Sequence, residues 1–238
     1  MDYEARDRRI ESKKSNFMKI PLVPWLQTYR KLVDMEIEEL RTYAHALESA
    51  LEKETRRLRK DSEQQASKMN EEERIEFYDW ASDDFHRLSK KFPQILRYSI
   101  FVHTYSLLEH TLLGVADHLQ KSQQLALLPS ELRDEGITRA KTYLKKVARV
   151  QFPDDSTNWK DISALNHIRN IVVHKTGYLA DDHPKKQPID AIMIRWSSDI
   201  SLDNIRQLTF SGSFIDRVID TCKSFLTDVF TNVKDTTP

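Results

Sequence analysis

The residues best equipped for chemistry lie in one stretch, Asn166-His167-Ile168-Arg169-Asn170-Ile171-Val172-Val173-His174-Lys175-Thr176-Gly177. On a helix turning about 100° per residue, Ile162, Leu165, Ile168, Val172 and Val173 share a core-facing stripe, and Arg169 falls inside it. A guanidinium cannot be left without a partner in a core, so Arg169 must snorkel to solvent or meet a carboxylate or phosphate. Asn166, Asn170, His174 and His167 form the adjacent polar strip. His174 lies near the helix end, where the last carbonyls carry partial negative charge and favour an imidazolium. A histidine working near neutral pH can exchange a proton with a ribose hydroxyl or a leaving oxygen. An arginine beside it can hold the phosphate and offset charge that builds in the transition state. That combination requires neither metal nor cofactor. The same residues admit a structural reading, in which Arg169 pairs with Glu109 or Asp117 and His174 is a capping cation.

The elements that must position this helix are themselves helical. The chain has 238 residues, of which only 4 are glycine and 8 proline. So few turn formers cannot punctuate many short strands, which argues against an all-β sandwich and a doubly wound glycine-loop fold. Charged residues are 31% and apolar residues 39%, the mix expected of amphipathic helices. Lys plus Arg equals Asp plus Glu at 37 each, so a uniformly basic coat protein is excluded but a local basic site is not. The single cysteine, Cys222, cannot form an intramolecular disulfide, which fits a reducing, cytoplasmic setting. Residues 1–20 read as a charged tail without the apolar run of a secretory signal. The most apolar stretch, Ile100 to Leu119, carries five ionisable groups and is not expected to span a membrane.

From Pro24 the pattern is periodic. Leu26, Tyr29, Val33, Ile37, Leu40, Ala44, Leu47, Leu51 and Leu58 predict one helix of roughly 40 residues, with a spacing that permits coiled-coil pairing. Asn70 with Glu73 predicts a capped start for a second helix reaching about Lys90, with Ile75, Tyr78, Ala81 or Ser82, and Phe85 inward. A third helix is expected from Pro93 to about Gln120 at the centre of the bundle. A short basic helix with Arg139, Lys141, Lys145, Lys146 and Arg149 follows, then the helix of about 158–176 stopped by Gly177. Tyr178 to Pro188 reads as a polar loop. Residues 191–196 and 207–210 have strand composition and predict a small hairpin. The last helix, about 213–233, buries Phe214, Ile215, Val218, Cys222, Phe225, Leu226 and Val229.

Other groups are weaker candidates. His103 and His110 are seven apart, but no third metal ligand is evident. The basic helix around Tyr143 can guide an RNA backbone or form a solvated face. Trp25, Trp80, Trp159 and Trp196 are expected as core anchors. Asp181-Asp182-His183 is an acidic loop cluster of low specificity for metal.

Arg169-Asn170-Ile171-Val172-Val173-His174 resembles the Arg-x4-His signature of HEPN domains, a helical nucleotide-binding superfamily with many metal-independent ribonucleases. The helix with Tyr105-Ser106-Leu107-Leu108-Glu109-His110-Thr111-Leu112 is similar to that family's preceding core helix. The resemblance covers about residues 90–235. It implies an all-α, HEPN-like helical bundle over 1–238: the tail of 1–20, a long helical elaboration over 24–90, a core over 91–235 and a small β-hairpin before the last helix. It implies a homodimer whose Arg-x4-His helices face each other across a cleft that takes single-stranded RNA. Arg169, His174 and Asn170 would then be catalytic, and Lys175, His167 and Glu109 would bind substrate. Glu109 is either the buried partner of Arg169 or a solvent-facing residue. Cleavage would proceed by attack of the 2′-OH without metal, in a toxin or antiviral defence context, with an antitoxin or regulatory protein as a further partner and no membrane. The alternatives are a non-catalytic dimeric RNA or nucleotide binder of the same fold, and a helical scaffold pairing through residues 24–58.

Overall fold

The computed structural model describes residues 21–235, so the charged tail expected over 1–20 lies outside the described residues. The chain is all-α apart from one two-stranded hairpin. Helix α1 spans Leu22–Ala66. Of its apolar stripe, Leu26, Val33, Ile37 and Ala44 are buried, and Leu40, Leu47, Leu51 and Leu58 are half-buried. The stripe is therefore largely covered up to Ala44 and only partly covered beyond it. Helix α2, Glu71–His86, starts with the expected capping box: the Asn70 side chain accepts from the Glu73 N–H at 2.9 Å, and the Glu73 carboxylate accepts from the Asn70 N–H at 2.9 Å.

The expected break before Pro93 does not occur. Arg87–Lys91 widen into a π-turn, and the chain runs straight on as α3, Phe92–Ser122. The Phe92 N–H bonds back to the Arg87 carbonyl, five residues away. A wide turn accommodates the missing donor and bulky ring of the proline that follows. The expected inward face of α2 is met only in part: Ala81 is buried and Phe85 half-buried, but Ile75 is 64% exposed and Tyr78 is exposed, and Trp80, expected as a core anchor, is 74% exposed. Spacing specifies which side chains share a face, not that another element covers it.

A short helix, α4, Gly136–Thr142, leads through a second π-turn, Tyr143–Val147, to α5, Thr157–Lys175. Residues 191–196, expected as a strand, belong instead to helix α6, Lys186–Arg195, with Trp196 as its cap. Buried Ile189 and Ile192 lie one turn apart, Lys186 pairs with Asp190 at 3.1 Å, and Pro188 sits in the first turn, where its N–H is not needed. The hairpin consists of β1, Ile200–Leu202, and β2, Leu208–Phe210, in the antiparallel register Ile200↔Phe210, Ser201↔Thr209, Leu202↔Leu208. The last helix, α7, Phe214–Asp235, buries all seven expected stripe residues.

Two compact units divide the chain. Among the described residues, one comprises 21–37, Tyr105–Ile162 and 221–235. In it Trp25 stacks on His118 with ring centroids 3.8 Å apart, and Phe152, Trp159 and Phe225 form a second aromatic cluster. Lys141 and Lys145 of the basic segment both pair with Asp154, at 3.1 and 2.7 Å, so these two cations are used internally. The other unit, Glu38–Thr104 with Ser163–Asp220, holds the Arg-x4-His segment. Its centre is Phe210 stacked on Phe214 at 3.8 Å, with Phe101 edge-on to both. Arg97 fixes the hairpin, donating bidentately to Glu48 at 2.6 and 2.9 Å and to the Phe210 carbonyl at 2.7 Å. Gln94 acts as a substitute strand: its Nε2 donates to the Leu208 carbonyl and its Oε1 accepts from the Phe210 N–H.

Candidate active site

Helix α5 is placed by its apolar side. Ile162, Leu165, Ile168, Ile171 and Val172 are buried, which fixes its rotation and turns Asn170, His174 and Lys175 to solvent. Val173, expected in the stripe, is instead 47% exposed, because Ile171 and Val172 fill the last buried turn.

The end of α5 is tied down by backbone chemistry. Thr176 (φ 49°) and Gly177 (φ 87°) both take the left-handed region, so the reversal begins one residue before the expected glycine. The Gly177 N–H bonds to the Ile171 carbonyl at 3.1 Å, and the Tyr178 N–H to the Lys175 carbonyl at 2.9 Å. The hairpin completes the arrangement. Leu208 N–H donates to the Gly177 carbonyl, Leu179 N–H to the Arg206 carbonyl, and Gln207 Nε2 to the Thr176 carbonyl at 2.6 Å. Tyr98 of α3 lies against Gly177 and donates its hydroxyl to the Leu208 carbonyl. Burial pushes the Tyr98 phenol up to about 12, so it remains a donor at ordinary pH.

His174 is thus an exposed imidazole on a fixed helix end, with Asn170 exposed one turn before it. Arg169 is half-buried at the edge of the apolar side, its Nε is enclosed, and its side chain is engaged within the protein. His167 is half-buried and two turns from His174. Burial first, then the charges of Lys185 and His183, push its pKa down. Lys175 is exposed next to His174. Glu109 belongs to the other unit, half-buried on α3, with its carboxylate against Gly136 at the start of α4.

His103 and His110 are exposed, and no group of three or more metal-ligating side chains occurs among the described residues. No helix among the described residues is long and apolar enough to cross a membrane. Sequence reasoning passed over two features of this region: the securing roles of Tyr98 and Gln207, and a basic groove at the π-turn of α3. The run Arg87-Leu88-Ser89-Lys90-Lys91 was the available signal for the second. No protein-family model, curated protein or solved structure matches this chain.

Proposed function

We propose that the protein is a metal-independent endoribonuclease of the HEPN type, working in the cytoplasm in a toxin or antiviral defence role. The observation that carries this reading is the exposed His174 on a rigidly secured helix end, with Asn170 one turn away and Arg169 five residues before it. In the reaction His174 takes the proton of a ribose 2′-OH. The 2′ oxygen then bonds to the adjacent phosphorus, the bond from phosphorus to the 5′ oxygen breaks, and that oxygen takes up a proton. The products are a 2′,3′-cyclic phosphate and a 5′-OH end. Arg169 stabilises the phosphoryl oxygens and Asn170 orients the ring or the substrate, while Lys175 adds charge at the mouth.

A second reading, a dimeric RNA binder without turnover, is favoured by the enclosure of Arg169 Nε, since a catalytic guanidinium must reach the phosphate. Incubation with total RNA in excess chelator separates the two. Cleavage by the wild type, lost in both Arg169→Ala and His174→Ala, establishes the nuclease. Retention of RNA with no new 2′,3′-cyclic ends establishes the binder. Cleavage that survives His174→Ala removes the proposed site.

A further inference from the structure

A groove of about 820 Å³ runs beside the α5 end, entirely within one unit. It lies between the π-turn segment and the hairpin. One wall carries Asp83, His86, Arg87, Lys90 and Lys91, and the opposite wall is the hairpin from Asp203 to Thr209. Ile95 and Tyr98 supply an apolar floor, and Ile95 is 51% exposed there.

Its charged lining is Arg87, Lys90 and Lys91 together with the carboxylates of Asp83 and Asp203. Lys90 and Lys91 are exposed and form no ion pair among the described residues, whereas Arg87 is held by Asp84. On the hairpin, Asp203 Oδ1 accepts the N–H groups of Ile205 at 3.0 Å and Gln207 at 2.7 Å, which fixes that carboxylate in place. The groove also joins the candidate active site through shared residues. Gln207 lines it and holds the Thr176 carbonyl, and Tyr98 lines it and abuts Gly177. These two contacts lie two and three residues along the chain from His174.

We propose that this groove binds the backbone of single-stranded RNA, with Lys90 and Lys91 taking successive phosphates and the apolar floor receiving a base. The assignment rests on the ribonuclease reading for its choice of polyanion. A nucleic-acid strand matches both features, since it presents a charge at each nucleotide and an apolar face on each base.

The test is fluorescence anisotropy of a labelled, fully 2′-O-methylated single-stranded oligonucleotide, which lacks the attacking hydroxyl and cannot be cut. Each lost phosphate contact lowers the salt slope by about 0.7, so Lys90→Gln with Lys91→Gln should lower it by about 1.4 and weaken binding roughly tenfold near physiological salt. The charge-matched pair Lys31→Gln with Lys53→Gln, both exposed on α1, should bind as the wild type does. Equal binding by wild type and the Lys90/Lys91 variant overturns the groove, as does equal loss in the α1 control. Lysine-dependent capture of polyglutamate in place of the oligonucleotide also overturns it. Cleavage of unmodified RNA in chelator is measured in parallel. Lysine-dependent binding without cleavage sustains the groove and removes the nuclease. Cleavage with no lysine dependence of binding removes the groove alone.

Discussion

Gly177→Ala is the sharpest test of how the α5 end is built. The residue sits at φ 87°, where a side chain is strained in any surroundings. A Cβ there would also fall within contact of the Tyr98 hydroxyl oxygen and 2.8 Å from Cζ of the same ring. Two costs follow. Left-handed backbone costs a non-glycine residue about 1–2 kcal/mol. Displacing Tyr98 breaks its hydrogen bond to the Leu208 carbonyl, about 1 kcal/mol more. The sum is about 2–3 kcal/mol, which for a chain of this size lowers Tm by about 5–10 °C. On the ribonuclease reading, because Gly177 lies three residues from His174, RNA cleavage should fall further than stability at temperatures where the variant remains folded. Thermal unfolding of Gly177→Ala, Tyr98→Phe and the double variant gives the coupling. Removing the hydroxyl takes away the nearest atom but leaves the ring, so the double variant should be less costly than the sum of the singles by about 0.5–1 kcal/mol. A Gly177→Ala protein within about 0.5 kcal/mol of the wild type, or strict additivity, would refute this account of the helix end.

Three further outcomes follow from buried groups. Burial pushes the Cys222 thiol up to about 12, so the folded protein should resist thiol reagents at mildly alkaline pH and react only on denaturation. Burial pushes the Asp199 carboxyl up, but bonds from Ser213 at 2.5 Å, Arg217 at 2.7 Å, Ser211 and Ser198 outweigh this and hold it below its ordinary value. Its contribution is then complete above the unfolded value of about 3.9 and lost as pH falls through the lower folded value. Asp199→Asn should cost about 2–3 kcal/mol in urea titrations at pH 7 and converge on the wild type in strong acid; a constant difference contradicts the assignment. His118 is pushed down by burial and then by Lys121, and its Nε2 is buried without a hydrogen bond. The folded state therefore prefers the neutral ring, and the stability it adds is present above about pH 6.5 and lost as pH falls through the lower folded value. His118→Phe should flatten that part of the pH–stability curve, and an NMR titration at or above 6.5 would contradict it.

Regular, strongly patterned helices were legible in the residues, and tertiary context was not. The stripe of α7 and the Asn70–Glu73 capping box follow from local spacing, and each appears where expected. Residues 191–196 are β-rich in composition yet helical, because Ile189 and Ile192 share a buried face and the proline falls in the first turn. Ile75 and Tyr78 of α2 share a face that the described chain leaves open, and nothing in their spacing distinguishes that from a core. At the candidate site, the polar strip was readable from a helical wheel, but only Asn170 and His174 of it are exposed, Asn166 and His167 being half-buried. The contribution of Tyr98 and Gln207 was not, since it depends on contacts between segments about eighty and thirty residues away in sequence.

The spacing within the Arg-x4-His segment itself constrains the proposed chemistry. Five residues along a helix separate two side chains by about 7.5 Å in rise and about 140° in direction. Here that difference appears as an exposed His174 and a half-buried Arg169. On the ribonuclease reading, a scissile phosphate seated against His174 would draw its guanidinium from a second copy whose α5 end approached from the opposite side. A two-fold pair would form two such composite sites. Mixing inactive Arg169→Ala and inactive His174→Ala proteins should then restore cleavage. Random exchange makes about half the dimers mixed, and each mixed dimer keeps one intact site of two, so about a quarter of wild-type activity is expected. If each protomer supplies both groups to its own site, no mixed dimer contains an intact set and the mixture stays inactive. Recovery near a quarter, rising with the fraction of mixed dimers measured by native mass spectrometry, is the signature of a shared site. Zero recovery in a mixture shown to have exchanged subunits refutes it.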